Sequence, residues 1–347
     1  MITGSRLRVD LARLRRNVEA VRERMAPADV LVVVKDDAYG HGVEPVVRAA
    51  VEAGAGWFGA IDADSALRAR AAAGDGARVL CWATAGADEV ARIVAADVDS
   101  GIGEASHLER VASAAAALGV TARVHLKIDT GLHRNGIRPE DWPTVCARAA
   151  ALEAEGAVRV VGVWSHIAEA SDAADDEARA AFDDAVRVAA AAGLAPEVRH
   201  LAASAAAWHR GEFRYDLVRI GAFCYGVRSA DGPELDGIDA AAALVAPVTR
   251  VDGAAVAVDI GAVDGLFSTL AGRIDVLSPS GPRRLVEVRA FESLVERWPG
   301  AAVGDEVVVF GTRASGAATS TDIAERIDTV GEEPLLRLSP LLPREYV

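Results

Sequence analysis

Strand-like and helix-like segments alternate regularly over residues 1–225, and this pattern constrains the fold more than any other feature. The strand-like segments are short and rich in β-branched residues: Val30–Val34, Trp57–Ile61, Arg78–Trp82, Val98–Ile102, Ala122–Ile128, Arg159–Trp164, Glu197–Leu201 and Leu217–Ile220. Eight strands that alternate with helices predict a parallel sheet closed into a (β/α)8 barrel. An open doubly wound sheet is the alternative, but no GxGxxG sequence follows the first strand.

The intervening segments have helical spacing and are rich in Ala, Arg and Glu: Glu44–Ala53, Ala63–Ala73, Ala105–Leu118, Asp141–Glu155 and Asp176–Ala192. After residue 228 long helical patterns disappear, and apolar segments separated by Gly, Pro and Asp follow, such as Ala254–Ile260, Leu285–Val288 and Glu306–Phe310. We therefore predict a barrel over residues 1–227 and a mostly β domain over residues 228–347. The opening segment Arg8–Val21 reads as a strand and a helix that fit either domain.

Composition excludes several classes of function. A formal charge of −14 argues against nucleic acid or an anionic membrane as a partner. No apolar run reaches the ~18–20 residues of a membrane span, and the first residues do not resemble a signal peptide. Three cysteines without a CxxC pair indicate buried thiols in a reducing compartment, so we expect a cytoplasmic protein. No metal-ligand spacing and no Ser/His/Asp triad is apparent.

Lysine is rare in this chain. Of 37 basic side chains only Lys35 and Lys127 are lysine, a bias that base composition alone explains. The remaining lysines are nevertheless candidates for chemistry, because an ε-amine can lose its proton and attack a carbonyl whereas arginine stays protonated. Lys35 follows the apolar strand Val30–Val34, at the strand end where barrels carry their active sites. A lysine that simply reaches solvent from the barrel end is the other interpretation.

The residues around Lys35 carry a resemblance to a known family. The sequence Val-Val-Lys-Asp-Asp-Ala-Tyr-Gly-His-Gly, residues 33–42, is similar to the cofactor-lysine motif of the alanine racemases, with Asp36 where alanine is usual. The resemblance implies pyridoxal 5′-phosphate (PLP) held as a Schiff base on Lys35, with Tyr39 among the cofactor-binding residues. It also implies a fold of type III, a PLP-binding barrel followed by a β domain.

A second motif contains the second lysine. The segment from Lys127 to Gly136 resembles the family's Lys-x-Asp-Thr-Gly-x-x-Arg-x-Gly. The resemblance implies that Arg134 points at the cofactor's phenolic oxygen and the substrate carboxylate, and that Lys127, often carbamylated in the family, supports this arginine. A planar donor fork suits oxyanions, and a carbamate is an anion that can orient it. Without the resemblance, this segment is an ordinary strand-to-loop turn.

Three further stretches match the family in order. His166 stands where a histidine packs on the pyridine ring, although a lone histidine after a strand is more often structural. The segment from His200 to Ala206 resembles His-x-x-Asn-Ser-Ala, which implies that Ser204 donates to the cofactor phosphate. Helix N-termini favour such anions. Ala203 replaces the asparagine, which puts one polar contact in doubt.

The segment from Asp216 to Gly226 resembles Asp-x-x-Arg-x-Gly-x-x-x-Tyr-Gly. The resemblance implies that Arg219 faces the pyridine nitrogen and keeps it unprotonated, which suits proton transfer. It implies that Gly221 and Ala222 offer backbone amides to the phosphate. A terminal barrel strand with a surface arginine is the interpretation without the family.

The resemblance fades in the second domain. The family's Gly-Tyr-x-Asp-Gly turn, whose tyrosine acts as the second acid/base in the partner subunit's site, reads Gly-Ala-Val-Asp-Gly at residues 261–265, with Ala262 at the tyrosine position. The family's Ser-Met-Asp segment corresponds to residues 290–292, Ala-Phe-Glu, and Pro340 takes the place of another tyrosine. The remaining titratable candidates are arginines and carboxylates such as Asp259, Asp264 and Glu292.

Three functions remain open at this stage. The first is a PLP-dependent racemase or epimerase of altered specificity, with ordinary alanine racemase activity weak or absent, because losing one acid/base costs about 10²–10⁴ in rate. The second is decarboxylation or other non-racemising chemistry at Cα on the same scaffold. The third is a non-catalytic PLP-binding protein. The family implies an amino-acid substrate and a head-to-tail homodimer in which residues near Ala262 and Phe291 lie at the interface.

Overall fold

The computed structural model describes residues 4–84, 86–230, 232 and 234–347. They divide into two compact units. The barrel unit comprises Val21–Lys35 and Ala50–Gly221. The sheet unit comprises the segment up to Ala20, Asp36–Ala49 and Ala222–Val347. The boundary at residue 227 stays a prediction.

Eight parallel strands form the barrel. Their bounds are β2 Asp29–Val33, β3 Trp57–Ala60, β4 Arg78–Cys81, β5 Asp99–Ile102, β6 Ala122–Lys127, β7 Val158–Trp164, β8 Val198–His200 and β9 Leu217–Ile220. The order is β8-β7-β6-β5-β4-β3-β2-β9. The amides of Asp216 and Arg219 donate to the carbonyls of Arg199 and Ala202 (3.1 and 3.2 Å) and connect β9 to β8. The predicted barrel followed by a mostly β domain is confirmed.

Helices alternate with these strands. Their bounds are α1 Leu11–Met25, α2 Lys35–Tyr39, α3 Val43–Glu52, α4 Ala63–Ala73, α5 Ala87–Ala95, α6 Ala105–Leu118, α7 Trp142–Ala154, α8 Asp172–Ala191 and α9 Ser204–His209. Helix α8 begins four residues before the predicted Asp176 because the Ser171 hydroxyl accepts from the Ala174 amide (3.2 Å) and caps it. Helix α6 ends at Gly119 in the left-handed conformation (φ 68°) that glycine adopts readily.

The sheet unit is built on a second eight-stranded sheet. Its strands are β1 Arg6–Val9, β10 Ala242–Asp252, β11 Ala255–Val258, β12 Asp275–Ser278, β13 Gly281–Val288, β14 Ser293–Glu296, β15 Glu306–Phe310 and β16 Arg344–Tyr346, with two short helices, α10 Ser320–Glu325 and α11 Glu333–Leu336. The order is β11-β14-β13-β12-β15-β10-β1-β16. Strand β1 pairs antiparallel with β10, so the opening strand belongs to this sheet.

The strands of both units bury mainly small and branched apolar side chains, among which Ala and Val predominate. A few polar side chains are fully buried inside the barrel, including Asp99, His125 and His200. Such groups are costly to bury without hydrogen bonds, so they mark positions with a specific role. Among the described residues, no helix is both long and apolar enough to cross a membrane.

Candidate active site

The carboxyl ends of the barrel strands hold most of the side chains that the motifs single out. Strand β6 ends at Lys127, β7 is followed by His166, β8 by Ser204, and Arg219 lies in β9. Strand β2 leads through Val34, whose amide donates to the Gly59 carbonyl (2.8 Å), to Lys35. Because the carboxyl ends of parallel strands meet at one face of a barrel, these side chains come from distant parts of the sequence to one place.

The backbone after Lys35 forms an unusual turn. Asp36, Asp37, Ala38 and Tyr39 all have φ of 53–54°, the left-handed region. This conformation costs about 1–2 kcal/mol for each residue that carries a Cβ. The turn is held by the Gly40 and Gly42 amides, which donate to the Asp36 and Asp37 carbonyls (2.9 and 2.8 Å). Backbone held in such a conformation is typical of functional sites, and here it directly follows the half-buried Lys35.

Arg219 is a buried cation, with 5% of its surface exposed. Its Nη1 donates to His200 Nδ1 (3.2 Å), and its Nη2 donates to the carbonyls of Ser165 and Leu201 (both 2.8 Å). Burial, with the nearby charge of Arg134, lowers the pKa of Arg219 to about 9. The guanidinium is therefore still charged at neutral pH, and it is held by neutral acceptors only.

His166 lies next to this arginine. Its Nδ1 accepts from Arg219 Nη2 (3.0 Å), so the ring proton is on Nε2. Burial and the charges of Arg219 and Arg134 lower the pKa of His166 to about 3. The imidazole is neutral at pH 7, as a ring that packs on an aromatic group should be.

Lys127 is the second buried cation of the cluster. Its Nζ lies 4.7 Å from the centre of the Trp164 ring, and within the described part of the chain no carboxylate forms an ion pair with it. Burial and the charges of Arg219 and Arg134 lower the pKa of Lys127 to about 8. At pH 7 roughly one amine in ten is therefore neutral. Arg134 is exposed, and no ion pair to it is found among residues 4–84, 86–230, 232 and 234–347.

Ser204 begins α9 and contacts the end of β9. The Gly221 amide donates to Ser204 Oγ (3.2 Å), so the hydroxyl and a backbone amide lie side by side. Ala203, at the cap position of α9, provides no side-chain cap. The Ser204 hydroxyl, which accepts from this amide, can donate its own proton to an anion, and Ala203 has no polar side chain to add a second contact.

Two predicted cofactor residues belong to the sheet unit. Tyr39 is buried, and its ring centre lies 4.8 Å from that of Tyr225. Burial and the charges of Glu332 and Asp36 raise the pKa of Tyr39, so its phenol stays protonated. Ala222 begins a 3-10 turn that runs to Tyr225.

Sequence reasoning missed the role of three buried polar residues. Asp99 and His125 drew no prediction, and His200 was only part of a motif. All three are completely buried and bonded to one another in series. The available signal was a titratable side chain inside an apolar strand, as in Val124-His125-Leu126.

The turn at residues 261–265 lies beside the loop at residues 289–292 in the sheet unit. The amides of Ala262 and Val263 donate to the carbonyls of Arg289 and Ala290 (2.8 and 3.0 Å). Ala262 is exposed, and 75% of the Phe291 surface is exposed. The positions that the family comparison singles out are thus adjacent on one surface.

A cavity of about 920 Å³ opens beside Arg134 in the barrel unit. Its lining combines aromatic, hydroxyl, imidazole and charged groups: Trp82, Thr84, His107, Arg110, Arg134 and Asn135. Thr84 and His107 are bonded to each other (3.0 Å), and Arg110 pairs with Glu104 (2.9 Å). The cavity is many times larger than the side chain of alanine.

The residues present fit PLP. Burial and the neighbouring charge of Arg134 lower the pKa of both Lys127 and Arg219, as expected for cations that lie close together without an anion between them. PLP carries a phosphate and a phenolic oxygen. The cluster supplies a lysine for its aldehyde, cations for its oxygens, and the Ser204–Gly221 donors for its phosphate.

Comparisons with known proteins agree with this cluster. Residues 9–229 match the sequence model described as "Alanine racemase, N-terminal domain". The chain is 38% identical to an alanine racemase of Frankia casuarinae, over 98% of this chain and 95% of that protein. It resembles the crystal structure of alanine racemase from D-cycloserine-producing Streptomyces lavendulae (TM-score 0.93, 34% identity) and that from Streptomyces coelicolor (TM-score 0.95, 33% identity), each over 100% of this chain and 98% of the other. The chain therefore belongs to the alanine racemase family, whose members depend on PLP.

Proposed function

We propose that this protein is a PLP-dependent racemase or epimerase that acts at the α-carbon of an amino acid other than alanine. The observation that carries the proposal is the barrel cluster around Lys35 and Arg219, combined with a turn at 261–265 that has alanine where the family has tyrosine. The relatives are named alanine racemases, which supports isomerase chemistry in this chain. The altered specificity is our own inference, drawn from the residues that we expect to face the substrate.

Lys35 and Arg134 do the chemistry in this proposal. When bound, PLP supplies the electron sink that makes an α-proton acidic. Lys35 holds the cofactor and moves the α-proton at its Nζ on one face of Cα. Arg134 binds the substrate carboxylate through its donor fork, which is available because no ion pair occupies it within the described residues.

The remaining barrel residues hold the cofactor and keep it unprotonated. Arg219 only donates hydrogen bonds, so a ring nitrogen facing it stays unprotonated. His166 packs as a neutral imidazole, and Ser204, Gly221 and Ala222 bind the phosphate. Tyr39 supports the same group as a protonated phenol. The pKa of Lys127 is lowered to about 8, so its neutral amine can add to CO₂ and release one proton to solvent, and the resulting carbamate anion would orient Arg134.

The proposal assigns no residue to the role of the second acid/base. Each carboxylate candidate already has a partner: Asp264 accepts from the Gly261 amide (2.8 Å), Asp259 accepts from the Ser5 amide (3.3 Å), and Glu292 pairs with Arg250 (3.1 Å) and Arg289 (2.9 Å). The hydrogen bond from Arg250, with the charges of both arginines, lowers the pKa of Glu292. A carboxylate held in this way is a poor proton donor.

This observation favours a second candidate function. If no group replaces the tyrosine, Lys35 works on one face alone, and the products are those of decarboxylation or of proton transfer with retention. A non-catalytic PLP-binding protein is the third candidate. The exposed Arg134 favours an enzyme, because within the described residues no ion pair occupies its donor fork and it is available to a substrate carboxylate.

We further propose a cytoplasmic homodimer with an amino-acid substrate and with no nucleic acid, membrane or metal partner. Exposed apolar side chains next to Ala262, namely Val263 and Phe291, support an interface at this surface, since large exposed apolar groups commonly mark contact sites. In such a dimer each site would be completed by the partner's turn.

The test is α-proton exchange in D₂O. Purified protein loaded with PLP is incubated with a panel of L- and D-amino acids, and proton NMR and chiral chromatography follow the products. Exchange with inversion on an amino acid other than alanine supports the proposal. Exchange with retention, or loss of the carboxylate, overturns it in favour of one-faced chemistry, and faster racemisation of alanine than of any other substrate overturns the altered specificity.

A further inference from the structure

A continuous line of hydrogen bonds crosses the barrel interior and ends at Arg219. Arg219 Nη1 donates to His200 Nδ1 (3.2 Å), His200 Nε2 lies 2.9 Å from His125 Nδ1, and His125 Nε2 lies 3.0 Å from Asp99 Oδ2. The line joins strands β9, β8, β6 and β5 and spans residues more than 100 positions apart. His200, His125 and Asp99 are completely buried. We call these four residues the barrel relay.

The two ends of the relay determine where every proton lies. A guanidinium can only donate, so His200 Nδ1 must carry a lone pair and Nε2 must carry the proton. That proton is donated to His125 Nδ1, which places the His125 proton on Nε2, facing Asp99. A carboxylate can only accept, so the series ends there consistently. Both histidines are therefore neutral Nε2–H tautomers, and the opposite direction is impossible.

The surrounding residues are shaped for this contact. A Cβ at position 162 would lie 2.1 Å from His125 Nδ1, so only Gly162 leaves room for the ring. Trp164 stacks on His200 with a centroid distance of 5.4 Å and an angle of 7°, and Trp57 meets His125 edge-on at 5.9 Å. Each ring is in contact with a tryptophan, so neither can rotate to exchange its nitrogens without displacing that tryptophan.

Asp99 is kept ionised although it is buried. Burial by itself would raise its pKa, but the hydrogen bond from His125 and the charges of Arg78 and Arg123 hold the pKa below its usual value. Arg78 Nη2 and Arg123 Nε lie 2.7 and 2.6 Å from the two carboxylate oxygens. At neutral pH the relay thus has an anion at one end and a cation at the other.

We propose that Asp99 is a positioning residue for Arg219, which it reaches through the fixed tautomers of His125 and His200. Its role is to keep the His200 lone pair directed at Arg219 Nη1, so that the guanidinium plane cannot turn. Direct pairing with a carboxylate would neutralise the arginine, whereas two neutral imidazoles transmit the polarisation without placing an anion beside it. The consequence for the ring nitrogen of PLP rests on the proposed function, but the tautomers and the orientation of Arg219 do not.

The experiment reads the tautomers directly. In full-length protein labelled with ¹⁵N histidine, NMR distinguishes protonated from unprotonated ring nitrogens, with and without PLP. We expect the ring proton of both His125 and His200 to lie on Nε2 at pH 7 in both preparations. A proton on Nδ1 of either ring, or double protonation, overturns the inference whether or not the protein proves to be a racemase.

Variants test the role of the anion. Asp99→Asn keeps the shape and removes the charge, and we expect a mixture of His200 tautomers, a shifted pH dependence of the bound-PLP absorbance, and about 10-fold slower α-exchange, the loss typical when the partner of a ligand-holding histidine is removed. Arg123→Gln is the matched control, because it removes one partner of Asp99 and leaves the relay intact. Unchanged tautomers and absorbance in Asp99→Asn, or equal changes in Arg123→Gln, overturn the positioning role. If Asp99→Asn does not fold, His125→Gln is tested by the same absorbance titration.

Discussion

The barrel strand ends and the surface turns of the sheet unit treat their titratable side chains in opposite ways. At the strand ends, Arg219 and Lys127 are buried and His166 is half-buried, and burial shifts the pKa of each. In the turns at residues 261–265 and 289–292, the carboxylates of Asp264 and Glu292 are half-buried, and each is bonded to a backbone amide or an arginine. Titratable groups with strongly shifted pKa values are typical of catalytic sites, whereas carboxylates that are fully occupied by hydrogen bonds are typical of structural positions. The strand ends of the barrel unit therefore have the features expected of a catalytic site, whereas the two surface turns do not.

Replacing the barrel lysine is the most severe test of this contrast. We expect Lys35→Arg to reduce α-proton exchange by about 10⁴-fold, because a guanidinium keeps its proton and cannot act as nucleophile or base. Proton NMR in D₂O measures the rate, and the cofactor absorbance reports attachment of PLP. Arg92→Gln, which removes an exposed ion pair with Asp64, is the control. Retained exchange in Lys35→Arg would move the chemistry away from the barrel lysine.

Acid should destabilise the whole fold, through three histidines whose pKa burial lowers strongly: His166 and His200 lie in the barrel unit and His41 lies in the sheet unit. Burial lowers the pKa of His166 to about 3, that of His41 to about 4 and that of His200 well below its usual value. Below pH ~6.5 these three histidines bind protons in the unfolded chain but not in the folded chain. The free energy of unfolding therefore falls as pH falls. The slope is about 4 kcal/mol per pH unit between pH 6 and 4, about 1.4 for each histidine.

Urea unfolding at several pH values measures this slope. His166→Gln should reduce it by about 1.4 kcal/mol per pH unit, since one depressed histidine is removed. His209→Gln removes an exposed histidine and should leave it unchanged. Equal slopes in the two variants would show that burial does not keep His166 neutral.

Restoring a phenol in the sheet unit should sharpen the comparison. We expect Ala262→Tyr to raise racemisation of alanine by about 10²-fold or more, because it adds an acid/base at the position where the motif resemblance implies a tyrosine. Chiral chromatography of D-alanine measures the gain. Ala262→Phe has nearly the same size without the hydroxyl and should show none. An equal gain in both would mean that volume, not proton transfer, limits the reaction.

The smallest effect is expected at Glu292. Because this carboxylate is held by Arg250 and Arg289 at the surface, Glu292→Gln should change α-exchange less than about twofold and the free energy of unfolding by about 1 kcal/mol at most. Steady-state exchange rates and urea unfolding check both values. A loss of 10²-fold or more would identify Glu292 as the second acid/base and break the contrast between the units.

Local pattern predicted most of the fold. One strand and two helices have the predicted bounds: Leu217–Ile220, Ala63–Ala73 and Ala105–Leu118. Their bounds could be predicted because β-branched strands and uninterrupted helical spacing are local signals. The left-handed turn at Asp36–Tyr39 could not be predicted, since four successive residues with a Cβ adopt a conformation that their types disfavour.

The candidate site divides in the same way. Motifs placed Lys35, Lys127 and Arg219 at strand ends, and the structure brings Lys127, His166 and Arg219 into one cluster. The contact between His125 and His200 links positions 75 residues apart and depends on the missing side chain of Gly162. Such side-chain contacts between strands depend on how the strands align in three dimensions, so the sequence of a single strand does not predict them.

The placement of the two lysines has a practical consequence. Lys127 is buried and Lys35 half-buried, so the surface of this protein has no exposed side-chain amine, and its positive charge comes entirely from arginine. Reagents that acylate amines, cross-linkers directed at lysine and resins that couple through it will find their side-chain targets only at the mouth of the barrel. If Lys35 holds PLP as we propose, its acylation reports cofactor loading, since a lysine joined to PLP is protected and an unjoined one gains the mass of the label.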